Sequence, residues 1–135
     1  MKLVHTAVFL LLISGLIQAC APALRLDREH TLAYGEGVKY RIQGFRKEIL
    51  QFQWVVEDSR CPRGVNCIQA GRALVQLRMG DSSYVLQEGQ SQLHGKRMII
   101  LKSLLPYPNA TDTQPLGLAQ YRINFLLGKA ESSAY

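Results

Sequence analysis

Between Ile49 and Glu57 the chain alternates in character. Leu50, Phe52, Trp54 and Val56 fall on one side, and Gln51, Gln53 and Glu57 on the other. A period of two is the signature of a strand with one face turned to a core. The same pattern recurs. Val38, Tyr40 and Ile42 alternate with Lys39 and Arg41. Ala73, Val75, Leu77 and Met79 oppose Arg72, Gln76 and Arg78, with Leu74 the exception. Tyr121, Ile123, Phe125 and Leu127 alternate with Arg122 and Asn124. Thr31 to Tyr34 reads as an edge strand, and Tyr84 to Gln87 as the return from a hairpin turn at Gly80-Asp81-Ser82-Ser83. Arg97 to Leu105 is apolar on both sides, as a central strand buried on both faces can be. Glu88 to Gly95 reads as a polar loop. Pro106 and Pro108 stop the strand before them, because proline cannot continue a ladder. About seven strands at this spacing predict an all-β domain, a small antiparallel β-sandwich, with a small closed barrel as the alternative. Trp54 is the expected core anchor, and Trp54, Phe52, Phe125 and Tyr121 are expected to serve packing rather than an aromatic ligand site.

The first residues belong to a different kind of segment. After Lys2, an almost wholly apolar run from Leu3 to Ile17 has the length of a signal-peptide core and falls short of the ~20 residues that span a bilayer. It ends in Leu16-Ile17-Gln18-Ala19-Cys20, which resembles a bacterial lipobox. That resemblance implies cleavage before Cys20, diacylglycerol on its thiol and acylation of the new amine. Cysteine count agrees: the chain has 3 cysteines, and lipidation of Cys20 leaves Cys61 and Cys67 as a pair. The expected division is a lipoprotein signal peptide over 1–19, a lipid-anchored tether over 20–29, the sandwich over 30–128 and a polar tail over 129–135. Acyl chains hold a protein stably at a membrane because each buried CH₂ contributes about 0.8 kcal/mol. Ala21 is not the aspartate that retains such proteins at the inner membrane, so the expected location is the outer membrane, facing the periplasm.

The net charge is +6, and of the leader's residues only Lys2 contributes to it. The basic residues are spread along the chain, which describes a solvated surface better than a nucleic-acid footprint. Expected partners are the membrane, through Cys20, and an envelope protein or an anionic cell-wall polymer; no nucleic acid is expected.

Charge, proline and glycine are densest between Glu57 and Gly71. Cys61 and Cys67 flank a turn favoured by Pro62 and Gly64, so a disulfide can close there in an oxidising compartment. A redox pair would be spaced Cys-x-x-Cys, and a zinc site would need His30 and His94, neither at motif spacing. No cofactor or metal is expected. Asp58 and Arg60 can fix the loop through hydrogen bonds and an ion pair. The alternative is that Arg60 and Arg63 project from it as a recognition element, as in a protease inhibitor. No catalytic set stands out, so a non-enzymatic role is expected, with an enzyme whose site is assembled from distant residues as a further possibility. Asn109-Ala110-Thr111 matches a glycosylation pattern that carries no weight in a bacterial lipoprotein.

Asp58-Ser59-Arg60-Cys61-Pro62, Val65, Cys67 and Ala70-Gly71 together resemble the cysteine loop of a family of small, uncharacterised bacterial lipoproteins and secreted proteins. The strand before the loop, Ala73-Leu74-Val75 after it, and the late Leu105-Pro106-Tyr107-Pro108 fit the same pattern. The family often has tryptophan two residues after the second cysteine, where this chain has Gln69. The resemblance implies export, a disulfide and the fold class, and attaches no activity.

Overall fold

The computed structural model describes residues 27–112 and 114–130. The leader, Cys20, most of the tether and the end of the tail lie outside them. Eight strands form: β1 (Glu29–Ala33), β2 (Gly37–Gln43), β3 (Arg46–Asp58), β4 (Ala73–Met79), β5 (Ser82–Gln87), β6 (Ser91–His94), β7 (Arg97–Leu105) and β8 (Arg122–Lys129). They make two four-stranded antiparallel sheets, ordered β1-β8-β7-β6 and β2-β3-β4-β5. This is a small all-β sandwich. The stretch expected to be a loop, Glu88 to Gly95, contains β6. It is an edge strand with a single neighbour, so its sequence needs no strong apolar pattern.

The core lies between the sheets. Ala73, Val75, Leu77 and Met79 of β4 are all buried, as their alternation requires. They meet Ile99, Leu101 and Leu104 of β7 and Ile123, Phe125 and Leu127 of β8 within one apolar cluster. Burying each such side chain contributes about 1.5–3 kcal/mol. β7 is an interior strand of its sheet, yet its outer residues Met98 and Ile100 are only half-buried, because among the described residues no third layer covers that face.

Trp54 is not in the core. Leu50 and Phe52 are fully buried, but Trp54 is 48% exposed, while its neighbour Val55 is 9% exposed. The cause is a bulge. Phe52 pairs with Leu77 and Trp54 with Gln76, so Gln53 is an extra residue that inverts the alternation. A second shift between Val55 and Glu57 restores it, so Asp58 pairs with the buried Ala73. Trp54 thus joins an outer row with Gln76 and Val85.

Candidate functional site

The cysteine loop leaves β3 at Asp58 and returns to β4 at Ala73. Its base is zipped by backbone bonds, Ser59 N–H to the Arg72 carbonyl and Cys61 N–H to the Ala70 carbonyl, both 2.9 Å. Gly71 has φ +68° and sits so close to the Ser59 carbonyl that a side chain there would overlap it. Only glycine fits that approach. Cys61 and Cys67 form a disulfide with Cα atoms 5.9 Å apart. Across the loop, Arg63 N–H donates to the Pro108 carbonyl at 3.0 Å, and Ala110 N–H donates to the Arg63 carbonyl at 2.9 Å. The loop is therefore tied to the segment after β7 as well as to its own ends.

Arg60 organises this end of the sandwich. Its Nε donates to Asp58 Oδ1 at 2.7 Å and one Nη to Oδ2 at 2.8 Å, a bidentate pair. The other Nη donates to the Leu104 carbonyl at 2.6 Å and to Glu88 Oε1 at 3.2 Å. The Nη bound to Asp58 also reaches the Pro106 carbonyl at 3.1 Å. A guanidinium has five N–H donors, and all are spent. Glu88 Oε1 further accepts from Leu104 N–H at 2.6 Å, and the Tyr121 hydroxyl donates to Asp58 Oδ2 at 3.0 Å. The Tyr107 ring lies 4.8 Å from the Arg60 guanidinium carbon and 5.1 Å from that of Arg63.

Burial works against the charge on Asp58. The Arg60 hydrogen bonds and charge, with the Tyr121 hydroxyl, outweigh it and hold the carboxyl below its usual range. Burial likewise opposes the charge on Arg60, and Asp58 more than restores it. The Tyr121 phenol is pushed up to about 12 by burial and by the Asp58 charge.

Of the two arginines expected to project, Arg63 is exposed and Arg60, at 6% exposure, is turned inward. Asp58 is committed to Arg60 and Tyr121. Beside them an open cleft of about 490 Å³ is bordered by Pro62, Pro108, Asn109, Asp112, Leu116 and Tyr121. Its unspent polar groups are those of the loop after β7, because the arginine and carboxylate in its wall already satisfy each other. Glu88, Tyr107 and Tyr121 complete the network, and no local spacing links them to Arg60; only the fold does.

A second polar chain joins the sheets at the other end of the sandwich, beside the β6–β7 turn. His94 lies within hydrogen-bond reach of the Tyr84 hydroxyl (Nδ1, 2.9 Å) and of Glu48 Oε2 (Nε2, 2.8 Å). Tyr40 donates to the same Glu48 oxygen at 3.3 Å, and burial together with that carboxylate pushes its phenol up.

No protein-family model, curated protein or solved structure matches this chain. The class it defines is structural: a two-sheet antiparallel sandwich stapled by a disulfide loop at one end.

Proposed function

We propose that this chain is a lipid-anchored protein of the bacterial envelope whose sandwich serves as a non-enzymatic binding or adaptor module. One observation carries the non-enzymatic part. The densest group of charges in the chain is consumed internally: Arg60 spends every donor, and Asp58 engages both oxygens. Such a group neither captures a substrate anion nor moves a proton without dismantling the end of the fold. The lipobox at Cys20 supports the anchor, and the net charge of +6 supports an anionic cell-wall polymer or an acidic envelope protein as partner. Cys20→Ala is expected to abolish both lipid labelling and membrane partitioning. Partitioning unchanged by that substitution would overturn the anchored reading.

A further inference from the structure

The outward side of the β2-β3-β4-β5 sheet departs from what a solvated face needs. Its rows run across the strands: Arg41 opposite Lys47, Lys39 opposite Ile49, then Gln51, Arg78 and Ser83, then Trp54, Gln76 and Val85. Four of these side chains are cationic. None of these rows holds a carboxylate; Glu57 stands in the next row, opposite Leu74, and is committed to Arg72 at 3.0 Å. Arg41 and Lys47 stand directly opposite each other, an arrangement that destabilises a sheet unless an anion bridges them.

The same face is apolar where it is not basic. Ile49, Trp54 and Val85 are 46%, 48% and 54% exposed. Trp54 is held in place by Tyr34, whose ring packs on it at 6.0 Å and 63°. Its indole N–H has no hydrogen-bond partner among the described residues. Gln53, released by the bulge, accepts from Gln76 at 3.4 Å and from Ser83 at 3.1 Å, which sets a strip of amides beside the indole. Gln51 donates to the Gly35 carbonyl at 3.3 Å and Arg78 Nε to the Gly80 carbonyl at 3.0 Å, which leaves each with further donors. A braced aromatic plane, neighbouring amides and cations without a carboxylate partner match three parts of one ligand: the apolar C–H face of a pyranose, its hydroxyls and its carboxylates.

We infer that this face binds an anionic polysaccharide. Sugar rings stack on Trp54, hydroxyls bond the Gln51 and Gln76 amides, and acid groups pair with Lys39, Arg41, Lys47 and Arg78. The chain enters the sandwich on the other sheet, where Asp27 N–H donates to the Leu127 carbonyl at 2.9 Å. Asp27, the first described residue, thus lies against the sheet opposite the basic face. The inference rests on the reading of the chain as a binding module and does not require the lipid.

The chain has a single tryptophan, so its fluorescence reports on this face alone. The test titrates the full Cys20→Ala chain with polygalacturonate, and in parallel with dextran, polyglutamate and phosphatidylglycerol vesicles. Expected are a saturable change in Trp54 emission with polygalacturonate that weakens as salt rises, none with dextran, and at least tenfold weaker binding of polyglutamate and vesicles. Lys39→Gln combined with Arg78→Gln should weaken polygalacturonate binding at least tenfold while leaving the thermal midpoint in place. Trp54→Ala, followed by calorimetry, should do the same. Absence of binding overturns the inference. Equal binding of polyglutamate reduces it to an acidic-protein surface and overturns the sugar, and a preference for vesicles overturns it in favour of a membrane. Membrane partitioning of the unsubstituted chain is read separately, so failure of the anchor and failure of this site give different results.

Discussion

Two groups of cations sit within one small domain and differ in what surrounds them. Arg60 is buried at the cysteine-loop end with a partner for each N–H. Lys39, Arg41 and Lys47 stand exposed on the open side of a sheet, with no carboxylate opposite them. A buried charge without partners is costly, so the first cation persists only inside its network. The exposed ones need no such network, and their arrangement is what the proposed polysaccharide site rests on. The lesson concerns where to look for function: the loop that is richest in chemistry by residue type is the part whose chemistry is already used up.

The sharpest way to break this contrast is to remove Arg60. Arg60→Ala leaves Asp58, Glu88 and two carbonyls without their donor, and is expected to cost about 3–5 kcal/mol. Chemical denaturation measures it, and a loss below about 1 kcal/mol would contradict the structural assignment. Reduction of the Cys61–Cys67 bond should cost less, about 2–2.5 kcal/mol for so short a loop, because it relaxes only the unfolded chain's constraint; melting with and without reductant reads this.

Titration tests the same network more gently. Asp58 is held low when folded, so its contribution to stability is complete above the usual carboxylate range and is lost as pH falls through the depressed value. Tyr121 shifts the other way: its contribution is complete below 10 and is lost as pH rises toward about 12. Stability–pH profiles of Asp58→Asn and Tyr121→Phe should flatten at the acid and alkaline ends respectively, and profiles parallel to the parent's would dissociate these groups from the network. The smallest effect belongs to the other region. Lys39→Gln should change stability by no more than about 0.5 kcal/mol, and Arg78→Gln, which gives up one exposed bond to the Gly80 carbonyl, by no more than about 1 kcal/mol. A larger loss would mean that the basic face is structural after all.

Much of the fold is legible in the residues. β4 can be read directly from Ala73, Val75, Leu77 and Met79, because a half-buried strand must alternate. β6 cannot, because a four-residue edge strand buries too little to leave a mark. The staple between Cys61 and Cys67 follows from spacing and turn residues, and the Asp58–Arg60 pair follows from proximity. Glu88, Leu104 and Pro106 around Arg60 are invisible beforehand, since contacts separated by 28 to 46 positions depend on how the sheets stack. Trp54 misleads for a local reason: nothing in the composition of Gln53 announces that it will be the unpaired residue.

That unpaired residue works like a shift of reading frame in the side-chain pattern. Gln53 throws β3 out of phase, and the irregularity before Glu57 brings it back. Between them lies a short window in which inside and outside are exchanged, with Trp54 displayed and Val55 interred. Deleting Gln53 would remove the extra residue without changing any later pairing: Trp54 would directly follow Phe52 on the outer row opposite Gln76, Val55 would stay inside and Asp58 would stay in phase. Deleting Gln53 and Val56 together would give a regular ladder with the same faces, Trp54 out, Val55 in and Asp58 opposite Ala73. Display of the tryptophan is thus a matter of strand phase rather than of the residue's own polarity, and tryptophan emission unchanged by deletion of Gln53 would check it.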